Sequence, residues 1–251
     1  MERAVSISEA RQKPGLRLLL LEGLPSPWGQ AAKGIFEIKG IEYTPAHPRP
    51  DDPSDALEAW TGQTSFPAAM YEDEEPRTGW AEILLLAERL APSPALIPAD
   101  AAQRAVFFGY AHEICGEMGL GWARRLETIS QGLAAEQPNP VSRFLAGKYG
   151  HRDDSAAEAS ARVLGVLGAL DALLAQHGGE YLLGELTALD VYWATFANLL
   201  DPLPDELLPM HPKMRPMFTA SDPATRAALT PALLGLRDRM YERHLMTPIE
   251  V

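Results

Sequence analysis

A single cysteine, Cys115, occurs in the chain, which excludes an internal disulfide and any multi-cysteine metal centre and fits a reducing, cytoplasmic setting. Basic residues are also scarce. Lys and Arg number 22 against 34 Asp and Glu, a formal net charge of -12. A nucleic-acid binder normally presents a basic face, so nucleic acid is not an expected partner. No long apolar run is found. Leu16 to Leu24 falls far short of the roughly 20 apolar residues that cross a bilayer, so no membrane partner is expected either. Met1 to Gly15 is polar and lacks the apolar stretch of a secretory signal; it reads as a loose extension. Internal repeats and low-complexity tracts are missing too. What remains is ordinary globular composition, 46% apolar over 251 residues, enough for one large domain or two small ones.

The most informative stretch runs from Leu16 to Ile41. Leu18 to Leu21 is a short continuous apolar run, the pattern of a strand buried on both faces, and a strand over 16–22 is predicted. Gly23 to Pro25 break it. Ser26 then precedes Pro27, a residue suited to the first helical position. Ala31, Ala32, Ile35, Phe36 and Ile38 keep a helical period up to Lys39, and Gly40 stops the helix. The chain thus reads strand, tight turn, helix, with a hydroxyl at the turn. A helix start carries unpaired N–H groups and about half a unit of positive charge, a place to hold an anion. Ser26 alone fits a plain N-cap equally well.

Further along, Glu42-Tyr43-Thr44 reads as a short strand, and His47-Pro48-Arg49-Pro50 as neither strand nor helix. A short helix over 53–60 has Asp52 as its candidate cap. Ser65 to Tyr71 reads as a strand entered through Pro67, and Glu72 to Glu75 as a solvated acidic turn. Thr78 is a candidate cap for a helix over 79–90. Prolines 92, 94 and 98 mark a domain boundary, giving an extension over 1–15, an α/β domain over 16–91, a linker over 92–99 and an all-helical domain over 100–251.

In that second half, Asp100 to about Ala135 is one helix or two, the candidate break being Gly116 to Gly119. Gln137 to Pro140 is a breaker. Helices are predicted over 155–176 and 222–244, the last capped by Ser221 or Asp222. Gly165 and Gly168 weaken the 155–176 helix by roughly 1 kcal/mol each relative to alanine, and close helix packing is the expected reason. Leu186-Thr187-Ala188-Leu189-Asp190-Val191 has Thr187 and Asp190 at capping-box spacing, with Leu186 and Val191 at the staple positions. It marks a buried helix and carries no expected chemistry.

This plan resembles that of the glutathione transferases: a thioredoxin-like α/β N-terminal domain (βαβαββα), a proline-rich linker and an all-α C-terminal helical domain. Ser26-Pro27-Trp28 followed by Lys39-Gly40-Ile41-Glu42-Tyr43 resembles the catalytic turn and first helix of the serine-using members. Phe66-Pro67 looks like the family's dipeptide with a cis proline, and Tyr181 to Asp190 like its capped core helix. The resemblance covers about residues 16–245. It implies a transferase with glutathione as co-substrate, Ser26 as the catalytic hydroxyl, and ligand contacts from Trp28, Phe66, Pro67, Arg77 and Thr78. It also implies a homodimer. Redox chemistry is disfavoured, since no thiol occurs in the first 114 residues.

Two positions depart from the family pattern. An acid followed by a serine usually meets the γ-glutamyl end of glutathione; here the chain has Arg77-Thr78. Thr78 can supply the hydroxyl, whereas Arg77 attracts the α-carboxylate and repels the α-ammonium. Ala31 stands where many members carry a basic residue. These departures favour the alternative, a non-catalytic binding or regulatory protein on the same fold. For the small-molecule electrophile the expected walls are Trp28, Tyr110, Met118 and Trp122, each of which equally suits core packing. No metal is expected, because His112, Glu113, Cys115 and Glu117 give no strong i, i+4 donor pair; Cys115 reads as a buried small hydrophobe.

Overall fold

The computed structural model describes residues 4–137 and 140–250. The chain divides into two compact units. The first runs through Leu96 and takes in Pro204–Met210 and the residues from Tyr241 onward; the second comprises Ile97–Leu203 and His211–Met240. The first unit thus recovers two late segments that the sequence reading assigned to the helical domain.

The first unit begins with β1 (Val5–Ser6) and α1 (Ile7–Ala10). This corrects the expectation of a loose extension. Val5 and Ser6 pair in parallel with Ala46 and His47, and Ile7 and Ala10 are buried against Leu19, Ala46, Ala68 and Met70. Ser6 caps α1: its hydroxyl accepts from the Glu9 N–H at 3.1 Å, and Glu9 returns a carboxylate to the Ser6 N–H at 2.9 Å. Met1 to Arg3 lie outside the described residues.

Next come β2 (Leu16–Leu19), α2 (Pro27–Ile38), β3 (Thr44–His47), α3 (Ala56–Thr61), β4 (Ala68–Tyr71) and α4 (Trp80–Leu90). The sheet order is β1-β3-β2-β4, with β2 parallel to β3 and antiparallel to β4. A single antiparallel bridge between Ala69 and Arg77 stands where a further edge strand was expected. The second predicted strand is displaced toward 44–47 and includes Pro45 and His47. Ala46 sends its carbonyl toward β2, where Leu20 N–H donates to it at 2.9 Å, so Pro45 faces the other edge, before β1 begins. Asp52 does not cap α3. Its carboxylate instead accepts from the N–H groups of Ile7, Ser8 and Arg49 and from the Ser8 hydroxyl, clamping the start of α1. The acidic turn is not simply solvated either, because Glu74 pairs with Arg77 at 3.0 Å and Arg89 at 2.5 Å.

Helix α2 buries Ala31, Ala32, Ile35 and Phe36. Gly40 follows its cap at φ +64°, a conformation glycine adopts without strain. The Lys39 ammonium is fully buried and meets Glu88 on α4 at 2.7 Å and the Pro94 carbonyl at 2.6 Å. Removing either partner of such a pair leaves an uncompensated buried charge.

The second unit is helical: α5 (Ala101–Cys115), α6 (Leu120–Ala134), α7 (Pro140–Lys148), α8 (Ser155–Gln176), α9 (Ala188–Ala197), α10 (Pro223–Ala228) and most of α11 (Pro231–Arg243). The open question over 100–135 resolves as two helices. A Cβ at Gly119 would stand 2.7 Å from the carbonyls of His112 and Glu113, so the reversal there requires glycine. The predicted break at 137–140 falls partly on Pro138 and Asn139, outside the described residues. Helix α7 carries no buried residue and so gives little periodic signal. The single helix predicted over 222–244 is two, because Pro231 cannot donate within a continuous helix; Asp222 caps the first through the Thr225 N–H at 2.7 Å. Gly165 and Gly168 are exposed and a Cβ at either meets nothing within 4 Å, which overturns close packing as their reason.

All ten residues of α9 are buried, and Trp193 donates to the Leu233 carbonyl at 2.9 Å. Thr187 caps α9, with its hydroxyl accepting from the Leu189 N–H at 3.3 Å. Asp190 accepts from the N–H groups of Leu182 and Thr187 at 2.8 and 2.9 Å and from the Thr187 hydroxyl at 3.0 Å. Burial raises the Asp190 carboxyl to about 6 against these hydrogen bonds.

Candidate functional site

Helix α2 starts at the end of the central strand. The Ser26 N–H donates to the Leu24 carbonyl at 2.7 Å, which tightens the turn, and the Ser26 carbonyl accepts the first helical bond, from Gln30 N–H at 2.9 Å. Pro27 supplies a fixed φ and no donor. Gly29 lets this first turn lie close on β2's exit, since a Cβ there would stand 3.2 Å from the Leu20 methyl. The Ser26 side chain makes no capping hydrogen bond. Its hydroxyl is therefore not spent on the helix that it begins.

Ser26 lines a cleft of about 240 Å³. Gly29, Gln30 and Lys33 from α2 form one wall, Leu20 and Leu24 the exit of β2, His47 the end of β3, and Phe66 the approach to β4. Phe66 is joined to Pro67 by a cis peptide. His47 Nδ1 lies 3.2 Å from the Leu20 carbonyl, and burial lowers the His47 pKa. Burial also lowers the Lys33 pKa, against the raising effect of Glu37 and Glu250. Glu37 is raised by burial, and the Tyr43 hydroxyl donates to it at 3.3 Å. The cleft therefore joins a hydroxyl, an amide, an ammonium and an imidazole above an apolar floor.

Among the residues expected from sequence, Ser26 and Phe66 line this cleft; Trp28, Pro67, Arg77 and Thr78 do not. Trp28 is half-buried in the first turn of α2. Arg77 donates to the Glu75 carbonyl and to Glu74, and its backbone bridges Ala69. Thr78 does not cap α4. Gly79 holds that position, and Glu82 folds back so that one carboxylate oxygen accepts from the N–H groups of Thr78 and Gly79 at 3.0 and 2.9 Å. A carboxylate three residues into a helix reaches its own start without strain, which the shorter Thr78 side chain does not need to match. In the second unit Tyr110 lies half-buried on α5. Met118 is 53% exposed in the turn before α6, and Trp122 packs edge-on against Tyr149 at 4.7 Å. Cys115 is buried, which pushes its thiol pKa well up and suits a packing role rather than a nucleophile. Among the described residues no group of three or more His, Cys, Asp or Glu is placed to hold a metal ion, and no helix is long and apolar enough to cross a membrane.

Sequence reasoning missed Gln30, Lys33, His47 and Glu250. Gln30 and Lys33 follow Ser26 by four and seven residues, one face of a helix, and that spacing was the available signal. Glu250 is 220 residues from Gln30, beyond any local pattern.

The fold is that of the glutathione transferases. A transferase from Methylobacterium radiotolerans, solved with glutathione sulfonate, superimposes with a TM-score of 0.63 at 16% identity over 91% of each chain. A glutathione transferase family member from Pseudomonas fluorescens, solved with two glutathione molecules, gives 0.56 at 16% identity over 92% of this chain and 97% of its own. The beta-etherase LigF from Sphingobium gives 0.53 at 19% identity over 90% and 99%. No protein-family model and no curated protein matches the sequence. At these identities the likeness establishes the architecture, and the chemistry rests on the cleft.

Proposed function

We propose that the chain is a glutathione transferase-like enzyme in which Ser26 activates a glutathione thiolate for attack on a hydrophobic electrophile. The observation that carries this reading is Ser26, a residue whose side chain makes no capping bond and which lines the cleft at the start of α2. Glutathione bound to proteins of the same fold supports it as the ligand class. An ordinary thiol has a pKa near 8.5 and is mostly protonated at pH 7; lowering it by about two units takes roughly 2.7 kcal/mol of preferential thiolate stabilisation. A hydroxyl donating to the sulfur, together with the positive end of α2, is a source of that size. The thiolate then attacks the electrophile, and the chain supplies orientation and charge. Phe66 offers its backbone to the cysteinyl part of the tripeptide. The test is calorimetric titration with glutathione, then conjugation of generic electrophiles. Saturable binding with turnover is expected, and absence of binding at millimolar glutathione overturns the catalytic reading.

A second reading, a binding or regulatory protein that retains the fold without the chemistry, is favoured by one observation. The donors at the start of α4 are already taken by Glu82, and Arg77 by Glu74 and the Glu75 carbonyl. Under that reading Ser26→Ala changes nothing. A homodimer in the cytoplasm completes the proposal, with exposed Leu85 on α4 as a candidate contact. A monomer at micromolar concentration in sedimentation removes the dimer.

A further inference from the structure

The segment after α11 returns to the first unit and ends against α2. Ile249 is 3% exposed, and its N–H donates to the Leu207 carbonyl at 2.7 Å. The next residue, Glu250, places its carbonyl oxygen 2.9 Å from Gln30 Nε2 and 3.2 Å from Lys33 Nζ. Its carboxylate stands 3.9 Å from the same ammonium. Glu250 is also part of the wall of the cleft that Ser26 lines. The Lys33 side chain is only 9% exposed, so it has little water to fall back on and its partner matters.

An amide N–H and an ammonium converging on one oxygen form a donor pair equally suited to a carboxylate. Here both hydrogen bonds go to a neutral main-chain carbonyl, while the Glu250 carboxylate stands 3.9 Å from the ammonium without a hydrogen bond to the pair. A charged acceptor makes hydrogen bonds roughly twice as strong, so a ligand carboxylate is the better partner, and the tethered segment competes through its high effective concentration.

We propose that Thr247–Glu250 is an intramolecular latch on the Ser26 cleft: it occupies Gln30 and Lys33 in the unliganded chain and is displaced when a ligand places a carboxylate on that pair. The identity of the ligand as glutathione, which carries two carboxylates, rests on the reading under Proposed function; the latch itself rests on the contacts of Ile249 and Glu250. A latch closed in most molecules weakens apparent affinity by the fraction open, on the order of ten-fold.

The experiment compares the full chain with one shortened to end at Met246. Glutathione affinity is measured by calorimetry, and the acetylation rate of Lys33 by mass spectrometry. The latch predicts about ten-fold tighter binding and several-fold faster acetylation in the shortened chain, with Lys33→Gln abolishing the gain in affinity. If the shortened chain fails to fold, Ile249→Ser in the full chain loosens the anchor and must move both readouts in the same direction. Unchanged acetylation and unchanged affinity overturn the proposal. Faster acetylation with no glutathione binding in either chain upholds the latch and removes the glutathione reading.

Discussion

The start of α9 and the start of α2 are built from similar residues and left in opposite states. At α9 the polar side chains are spent within the fold: Thr187 takes the Leu189 N–H, and Asp190 takes two N–H groups and the Thr187 hydroxyl, all in a buried setting. At α2 the cap position is Ser26, yet its hydroxyl makes no capping bond and the residue lines a cleft. The start of α4 lies between the two, closed by its own Glu82. A polar residue at a helix start is thus structural when its valences are used up inside the fold, and available for chemistry when they are not.

Mutations that break this contrast fall in a clear order. Asp190→Ala leaves buried N–H groups of Leu182 and Thr187 without an acceptor and is expected to cost about 3 kcal/mol, read as a lower urea midpoint. The same carboxyl gives a pH signature. Its pKa is raised on folding to about 6, so the folded chain holds that proton more tightly than the unfolded chain does. Its stabilising contribution is full below the ordinary carboxylate range and is lost as pH rises through about 6. Asp190→Asn should flatten that part of the stability profile; an unchanged slope would show that another group sets it.

Ser26→Ala should do the reverse, changing stability by less than about 0.5 kcal/mol in a denaturation curve, because no capping bond is lost. Thr187→Ala should cost about 1 kcal/mol. A smaller cost than that, roughly 0.5 kcal/mol, is expected from Glu82→Ala, since the two N–H groups it releases can turn to water. Calorimetry on that variant also shows whether opening the start of α4 strengthens glutathione binding.

Much of the α/β unit was legible because its signals are local. Pro27 after Ser26, the helical period to Ile38 and Gly40 after Lys39 mark α2 from neighbours within a few residues. Thr187 with Asp190 marks α9 for the same reason. Local reading also left something unused, since Ser6 and Glu9 have capping-box spacing inside a segment taken as loose. The rest was hidden by distance. Asp52 looks like a cap for the helix it precedes, but it serves Ile7 and Ser8, 45 and 44 residues away. Lys33 belongs to no motif, and its partner Glu250 comes back to it from 217 residues later. The cleft around Ser26 was half visible for that reason. Ser26 and Phe66 were marked by motif and Lys33 by helical spacing alone, while the imidazole of His47 and the return of Glu250 were set by tertiary approach.

One paired measurement tests the central claim most directly: the rate of glutathione conjugation to a generic electrophile and the urea midpoint, each for the parent chain and for Ser26→Ala. A thiolate held by that hydroxyl predicts a rate loss on the order of ten-fold, since the α2 start remains in the variant, with the midpoint unmoved. An unchanged rate, or a rate loss matched by a fall in the midpoint, would contradict it, for Ser26 would then be a structural cap like Thr187.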